Sequence, residues 1–429
     1  MNEFYLDGMP KILFGRQKFE SIGQILSEYG YSDYKFLILT GGKFVKSIGF
    51  LEKLLIQLKT ANISYEIYSD ISSNPKSQEI DDIVRYFKEK SCDAVIGFGG
   101  GSIMDAAKAV AAVAKCGGRC WEYVRCWDDY EPDVIKSAYP VITIPTRFGS
   151  GAEVTPFAVI SNLATKEKAV MTSSFIMPSL AVIDPCFASY LNATDFSYAV
   201  CDAASHILET YLSGENSSVV ADSISETLLV NLFTSALNYN KIYAAADLKR
   251  ENQPADEQEL KNIIYDDVFY VSMLALTGIA QAGRGGDFIM HDLEHPLSAH
   301  FNLHHGAGLS VLIPAVMEFF CEAAASRYSR LYKNVFKRLI DSGFDFFPHA
   351  VAGADEEETA KLAVGSMRVL LEKIGVGAKL SIDGLTSELI EKMADDVIRL
   401  YGHGKMYLDG PKKLRYSDIT EIYSNIIKM

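Results

Sequence analysis

The chain has 429 residues, of which 48% are hydrophobic and 22% are charged, a composition typical of a folded protein with room for two domains. Its formal net charge of -14 at pH 7 argues against nucleic acid or an anionic membrane as a partner and favours a small-molecule substrate. Seven cysteines without a C-x-x-C pair indicate a reducing compartment, and no segment approaches the roughly eighteen consecutive apolar residues of a membrane-spanning helix. We therefore expect a cytoplasmic protein.

Short β-rich runs alternate with helical patterns between residues 35 and 185, which predicts a parallel sheet with crossover helices. Glycine-rich turns follow several of these runs. Open α/β sheets bind ligands at the carboxyl ends of their strands, so these turns are the candidate binding loops. The five predicted strands are KFLILT, SYEIYSD, CDAVIGF, PVITIPT and SLAVID.

The end of the first predicted strand carries Gly41, Gly42 and Lys43. An acidic side chain at such a position would bind the ribose hydroxyls of NAD and repel a 2′-phosphate. Because glycines and a lysine remove that repulsion, we expect NADP(H) to be favoured over NAD(H). The alternative is a solvated lysine in an ordinary turn.

A second glycine-rich loop, Gly99, Gly100, Gly101 and Ser102, joins strand DAVIGF to the helical pattern SIMDAAKAVAAVAK. Glycines let a diphosphate approach the backbone, and the N–H groups that begin the helix attract its negative charge. The spacing does not match G-x-G-x-x-G, because Met104 stands at the third glycine position. A pyrophosphate cradle and a tight turn both fit this loop taken alone.

Beyond residue 185 the pattern changes to helix-spaced apolar residues, with long segments at 194–213, 217–239 and 262–282. Residues 243–261 are polar and contain a proline, which predicts an exposed connection. We therefore expect residues 1–185 to form an α/β dinucleotide-binding domain with a parallel sheet. Residues 186–429 are expected to form an all-α helical domain that binds metal and carries catalytic residues.

Five of the eight histidines lie between His291 and His305, and an Asp202-x-x-x-His206 pair lies upstream on a predicted helix. The spacing of four residues places Asp202 and His206 on one helical face. Three imidazoles and one carboxylate suit Fe(II) or Zn(II), and the donor set does not choose between them. We predict a divalent metal site formed by Asp202, His206, His291 and His305, with Glu209 accepting an imidazole N–H.

His295 follows His291 by one helical turn, and Pro296 disfavours helical backbone at the residue before it, which predicts a kink or a helix end. We predict that His295 relays a proton or positions the substrate; the alternative is a hydrogen-bonded structural histidine. His300 and His304 are predicted to be peripheral. A metal that polarises a carbonyl beside a nicotinamide indicates interconversion of an alcohol and an aldehyde.

In these motifs the chain resembles the iron-containing (group III) alcohol dehydrogenase family over nearly its whole length. The segments MPKILFG, GFGGGSIMDAAKAVA and PTRFGSGAEVTPFAVI resemble the opening strand, the phosphate loop and the second cofactor loop of the family. CDAASHILETY and HDLEHPLSAHFNLHHGAGLSVLIP resemble its two metal motifs. The sequence departs from the family pattern at Arg147 and Phe148, where small residues are more usual, and at Ser298, where glycine is common.

The resemblance implies the two-domain fold that this family shares with dehydroquinate synthase, the same four metal ligands, and assembly as a homodimer. Gly41 resembles the NADP-linked butanol dehydrogenase and aldehyde reductase branch, since NAD-linked members typically carry an aspartate there. Lys168 is implied to reach the cofactor ribose near the catalytic centre. The other cofactor contacts that the resemblance adds are Asn74, Thr143, Thr146 and Ser150.

We therefore expect NADPH-dependent reduction of short-chain aldehydes such as butanal, with Fe(II), or alternatively Zn(II), as the metal. One alternative is a sugar-phosphate cyclase, whose substrates require several basic residues near the metal, where the sequence offers chiefly Arg284 and His304. Another is a non-catalytic metal-binding protein, which would leave the glycine-rich loop unexplained.

Overall fold

The computed structural model describes residues 8–41, 45, 49–124, 134–214, 218–246, 255–377 and 379–428. They divide into two compact units, with the boundary between Tyr190 and Leu191. Gly42 and Lys43 of the predicted cofactor site lie outside the described residues. Within the described ranges, no helix is both long enough and apolar enough to cross a membrane.

Within the described residues, the first unit contains eight strands and four α-helices. The strands are β1 Lys11–Phe14, β2 Lys35–Gly41, β3 Ser64–Ile71, β4 Ala94–Gly99, β5 Val141–Pro145, β6 Phe157–Asn162, β7 Glu167–Thr172 and β8 Leu180–Ile183. The helices are α1 Ile22–Glu28, α2 Phe50–Thr60, α3 Ser77–Glu89 and α4 Gly101–Cys116, with 3-10 turns at Phe19–Ser21, Cys120–Tyr123, Ser174–Ile176 and Pro185–Tyr190.

Six of these strands form one sheet in the order β1-β8-β5-β4-β2-β3, and every neighbouring pair is parallel. Each predicted strand is present. Strands β4 and β5 are buried along their whole length, as expected of parallel strands covered on both faces. The antiparallel hairpin β6–β7 was not predicted from the sequence.

The order of the strands reverses beside β2, because the chain goes from β2 out to the edge strand β3 and then back to β4 on the other side. Ligands of open α/β sheets bind outside the carboxyl ends of strands at such a point. Gly41 ends β2 and Gly99 ends the adjacent β4. Gly41 and Gly99 therefore lie at the same edge of the sheet, where a ligand is expected.

Helix α4 packs closely on β4 because both surfaces carry small residues. A Cβ atom added to Gly97 would lie 3.0 Å from Ala107 Cβ and 3.1 Å from Met104 Cα. The helix is buried almost all round and rich in alanine. This close packing fixes where the helix begins, immediately after the loop that ends β4.

The second unit is mostly helical, as predicted, but two pairs of two-residue strands are present in it. The helices are α5 Ala193–Ser213, α6 Val219–Ala246, α7 Ala255–Ala275, α8 Ile289–Phe301, α9 His305–Phe320, α10 Ala325–Leu331, α11 Lys337–Asp341, α12 Glu356–Lys373, α13 Ser387–Tyr401 and α14 Tyr416–Ile426, with a π-helical turn at Tyr332–Phe336. The strand pairs are β9 Leu380–Ser381 with β12 Ile427–Lys428, and β10 Tyr407–Leu408 with β11 Leu414–Arg415.

Helix α5 has the bounds that its capping residues predict. The Asn192 side chain accepts a hydrogen bond from the Asp195 N–H at 2.8 Å and so caps the first turn. The helix ends at Gly214, where a Cβ atom would lie 2.5 Å from Arg284 Cγ. Glycine is needed there for close approach of a neighbouring side chain.

Two local predictions in this unit differ in part from the structure: the connection 243–261, of which residues 247–254 lie outside the described ranges, and a helix end at Pro296. Helices α6 and α7 extend into the predicted connection 243–261 from both sides, and α7 ends at Ala275 instead of continuing to residue 282. Helix α8 also continues through Pro296 to Phe301. The Tyr423 hydroxyl donates to the carbonyl oxygen of Leu293 at 2.7 Å, so tertiary contacts hold α8 helical around the proline.

Candidate functional site

Three imidazoles surround one buried carboxylate oxygen in the second unit. Helix α5 presents Asp202 and His206 on one face, α8 supplies His291, and α9 begins at His305. The Nε2 atoms of His206, His291 and His305 lie 3.6, 3.8 and 3.9 Å from Asp202 Oδ1. The structure thus brings together all four residues predicted as metal ligands.

Two buried glutamates hold the far side of two of these imidazoles. Glu209 Oε2 lies 2.5 Å from His291 Nδ1, and Glu209 Oε1 also accepts the His291 backbone N–H at 3.0 Å. Glu294 Oε2 lies 2.5 Å from His305 Nδ1, an ion-pair distance, although this Nδ1 makes no hydrogen bond with the described residues. Carboxylates in this position orient an imidazole and leave its Nε2 free for a metal.

The sequence interpretation missed Glu294 and did not identify the imidazole that Glu209 contacts. Glu294 is fully buried, and Ser298, one turn later, donates its hydroxyl to the same carboxylate. A Cβ atom on Gly308 would lie 2.8 Å from Glu294 Cγ, so glycine at that position of α9 makes room for the carboxylate. In the sequence, the position of Glu294 one helical turn after His291 was the feature that could have indicated a role beside the histidines.

The charges of this cluster fit a divalent cation. Asp202 Oδ1 and His291 Nε2 are buried and make no hydrogen bond with the described residues. Burial raises the pKa of the Asp202 carboxyl, but the surrounding imidazoles outweigh burial and hold that pKa below its usual range. Burial lowers the pKa of His291, yet Glu209 and Asp202 outweigh it and raise that pKa to about 10. The buried carboxylates therefore favour a positive charge at the centre of the cluster. Its nitrogen and oxygen donors suit Fe(II) or Zn(II).

The other histidines of the cluster lie around this centre. The ring of His295 is buried 6.2 Å from the ring of His305, and His295 Nδ1 lies 2.5 Å from the Tyr401 hydroxyl oxygen. His300 Nε2 lies 3.3 Å from Asp396 Oδ2. His304 is half-exposed. Its ring centroid lies 4.9 Å from that of Tyr198, and its Nε2 atom lies 3.8 Å from Asp195 Oδ1. The carboxylates beside His300 and His304 are different from those of the metal cluster.

In the first unit, the loop that follows β4 has one glycine, Gly100, at which a Cβ atom would make only an ordinary van der Waals contact. A Cβ atom on Gly99 would lie 2.6 Å from Ile103 Cγ1, and one on Gly101 would lie 2.7 Å from Ser150 Oγ. The nearest atom to a Cβ on Gly100 would be Arg147 Cδ, at 3.6 Å. The loop thus combines close packing with an exposed backbone at the start of α4, which suits a diphosphate.

Predicted cofactor residues from other segments lie at the same edge of the sheet. Asn74, in the left-handed region with φ of 51°, donates its backbone N–H to Ser102 Oγ at 3.2 Å. The Thr146 N–H donates to the Gly99 carbonyl oxygen at 2.9 Å. Thr143, in contrast, is fully buried inside β5, and its hydroxyl donates to the Glu153 carbonyl oxygen at 3.1 Å.

The β6–β7 hairpin places Lys168 near the Asn74 segment. Lys168 on β7 pairs with Ser161 on β6, and the Ser161 N–H donates to the Pro75 carbonyl oxygen at 2.9 Å. Burial lowers the pKa of neighbouring Lys76, and the positive charge of Lys168 adds to this effect. Two lysines therefore lie close enough to repel each other, an arrangement that suits an anionic ligand.

Gly41 lies at the carboxyl end of β2, where its conformation does not require glycine. Its φ is not in the positive range. A Cβ atom there would lie 3.5 Å from Ile103 Cδ1, an ordinary van der Waals distance. The absence of a side chain at Gly41 is thus not explained by packing.

Comparisons with known families agree with the fold. The model of the iron-containing alcohol dehydrogenases matches residues 10–185, and the model of the C-terminal part of the Fe-containing alcohol dehydrogenase family matches residues 196–427. This chain belongs to the iron-containing alcohol dehydrogenase family, and it is therefore an oxidoreductase. The resemblance of the sequence motifs is confirmed.

Individual relatives match over almost the whole chain. NADH-dependent butanol dehydrogenase A of Clostridium acetobutylicum is 27% identical, with 96% of each chain covered. NADPH-dependent aldehyde reductase YqhD of Escherichia coli is 26% identical, with 95% of each chain covered. The crystal structure of NADH-dependent butanol dehydrogenase A from Thermotoga maritima superposes with a TM-score of 0.83 at 28% identity, covering 100% of this chain and 99% of that one.

Proposed function

We propose that this protein reduces short-chain aldehydes such as butanal to primary alcohols, with NADPH as the electron donor and Fe(II) as the metal. The observation that carries this proposal is the convergence of three imidazole Nε2 atoms on one buried carboxylate oxygen, Asp202 Oδ1. When bound, the metal supplies a Lewis acid for the substrate oxygen and NADPH supplies a hydride. Zn(II) suits the same donor set.

In this proposal the ligands are Asp202, His206, His291 and His305. Glu209 and Glu294 hold His291 and His305 at Nδ1, and each ring then presents Nε2 to the metal. These contacts fix the imidazoles before any metal arrives. The protein residues thereby supply orientation as well as charge.

We propose that His295 supplies the proton that the product alcohol needs. Its ring lies beside that of His305, and its Nδ1 is engaged by Tyr401. Nε2 is therefore the nitrogen from which a proton can leave toward the substrate. An imidazole is suited to this task because its ordinary pKa lies near neutral pH.

We propose that residues 1–185 bind the cofactor and residues 186–429 bind the metal and substrate. Gly99, Gly100, Gly101 and Ser102 would hold the diphosphate, with Lys168 at the ribose. The remaining proposed contacts are Asn74, Thr143, Thr146 and Ser150. Preference for NADPH rests on Gly41, Gly42 and Lys43; the named relatives include both NADH-dependent and NADPH-dependent enzymes.

The surroundings of Arg284 argue against the sugar-phosphate cyclase alternative. Its guanidinium is fully buried and donates to Asp222, Ser225 and Thr210, each at 3.1 Å. His304, the other candidate, lies beside Asp195. Neither basic group is thus directed to a substrate phosphate at the metal cluster.

We also propose a cytoplasmic homodimer. The dimer rests on the family resemblance, and the cytoplasm on the cysteines, since the six within the described ranges are free thiols. Size-exclusion chromatography with light scattering tests the dimer, which a monomeric mass would contradict.

The test of the proposed function combines metal analysis of anaerobically purified protein with NADH and NADPH oxidation over a panel of short aldehydes. We expect iron and faster NADPH than NADH oxidation. His291→Ala should remove both metal and turnover, whereas His304→Ala, at a half-exposed position, should keep both. Retained turnover after metal loss would contradict the metal proposal, and strict NADH preference would contradict the argument from Gly41. A cyclase would show no net cofactor oxidation.

A further inference from the structure

Helix α8 carries His291 and His295 and is held by side chains of the two C-terminal helices at three points. Tyr401 of α13 contacts His295, and Asp396 of α13 contacts His300. Tyr423 of α14 donates to the Leu293 carbonyl oxygen. Only the first of these three contacts involves a side chain with a role in the proposed reaction.

The position of Tyr401 is fixed by the backbone around it. It is the last residue of α13, and Gly402 caps that helix. A Cβ atom on Gly402 would clash with the carbonyl oxygen of Ile398 and lie 2.6 Å from that of Lys405, so the chain turns tightly directly after Tyr401. One turn before Tyr401, Asp396 anchors the same helix to α8 through His300.

The contact between the two side chains is short and directed at one ring nitrogen. Tyr401 Oη lies 2.5 Å from His295 Nδ1, and the ring centroids are 5.7 Å apart at an interplanar angle of 48°. His295 is only 4% exposed. Tyr401, in contrast, is half-buried, so loss of its hydroxyl does not empty a site deep in the core.

We propose that Tyr401 is a positioning residue that fixes the ring orientation and tautomer of His295. An imidazole without a partner at Nδ1 can rotate by a half turn about the Cβ–Cγ bond and can carry its proton on either nitrogen. A hydroxyl can donate to Nδ1 or accept from it; in our proposal the Tyr401 hydroxyl donates to Nδ1, which holds the ring in one orientation and leaves the proton on Nε2, the nitrogen that would serve the substrate. This inference rests on the proposed role of His295 as the proton donor.

The test compares Tyr401→Phe with Tyr423→Phe in the iron-loaded enzyme, with butanal and NADPH as substrates. Both changes delete one hydroxyl that contacts α8, but the hydroxyl of Tyr423 donates to a backbone carbonyl oxygen, that of Leu293. We expect Tyr401→Phe to lower kcat roughly ten-fold, the scale of losing an orienting partner, with unchanged KM values and iron content. Tyr423→Phe should lower the melting temperature and keep kcat. Equal kcat in both variants and wild type would overturn the proposal.

A double-mutant cycle with His295→Ala separates this inference from the proposed function. If Tyr401 acts through His295, adding Tyr401→Phe to His295→Ala should lower kcat no further, whereas independent effects would multiply. A loss of kcat in His295→Ala together with full activity in Tyr401→Phe overturns the inference alone. Full activity in His295→Ala overturns the role of His295 and, with it, this inference.

A spectroscopic readout does not depend on turnover. In zinc-loaded protein labelled with ¹⁵N-histidine, the His295 signals are assigned by their loss in His295→Ala. We expect Tyr401→Phe to shift the Nδ1 resonance of His295 and Tyr423→Phe to leave it unchanged. An unchanged Nδ1 resonance in Tyr401→Phe would show that the hydroxyl does not set the state of the imidazole and would overturn the proposal.

Discussion

Glu209→Gln is expected to weaken metal binding while the fold is retained. The substitution keeps the shape of the side chain and removes its charge. Glu209 Oε1 accepts the His291 backbone N–H at 3.0 Å, and an amide oxygen can still do so. Glu209 Oε2, which lies 2.5 Å from His291 Nδ1, would be replaced by an amide group without charge. The substitution therefore alters mainly the contact between residue 209 and the Nδ1 atom of His291, a proposed metal ligand.

The magnitude follows from the type of contact that is lost. A hydrogen bond to a charged group contributes about 1.5–3 kcal/mol and a neutral one about 0.5–1.5 kcal/mol, so the loss is about 1–2 kcal/mol. Loss of a carboxylate behind a metal-bound imidazole typically lowers metal affinity about 10–100-fold, or about 1.4–2.8 kcal/mol. The two ranges overlap, and we expect a loss of metal affinity of about ten-fold or more.

The assay is a chelator-competition titration with Zn(II) on metal-free protein, together with the iron content of protein purified anaerobically. Glu318→Gln is the matched control, because Glu318 is an exposed glutamate on α9 whose contact is with Arg368. Zinc affinity of Glu209→Gln within two-fold of the wild type would refute the reasoning. An equal loss in Glu318→Gln would show that the effect is not specific to His291.

Three further predictions concern glycines. Gly41→Asp should shift preference from NADPH toward NADH with the fold intact, since a Cβ fits there; the ratio of the two kcat/KM values measures this, and an equal shift in neutral Gly41→Asn would exclude charge as the cause. Gly101→Ala should raise the KM for NADPH and lower the melting temperature, because its Cβ would lie 2.7 Å from Ser150 Oγ; the melting temperature should recover when Ser150→Gly is added, and failure to recover would contradict the steric explanation. Gly308→Ala should lower the zinc affinity, because its Cβ would displace Glu294, and unaltered affinity in the same titration would disprove that connection.

Local sequence patterns predicted the sheet well because each buried parallel strand is a continuous apolar run. The segments that form β4 and β5 are short, apolar and bounded by glycine or proline, and both are buried along their length. The hairpin β6–β7 was missed because its strands lie outside the six-stranded parallel sheet: they pair with each other in antiparallel register, and Ser161 of β6 bridges to Lys76. At Pro296 the sequence allowed a kink or a helix end; α8 does not end there, and the Tyr423 hydroxyl, from a distant helix, contacts its backbone at Leu293.

For the proposed metal site, the sequence by itself selected the candidate donors: Asp202 and His206 share a helical face at any packing, and the density of histidines at 291–305 is visible without a fold. Only the tertiary structure decided the partners of each imidazole. Glu209 lies on the same helix as His206 but contacts His291 on another helix. Spacing along the chain determines which side chains share a helical face, whereas packing between helices determines which of them meet.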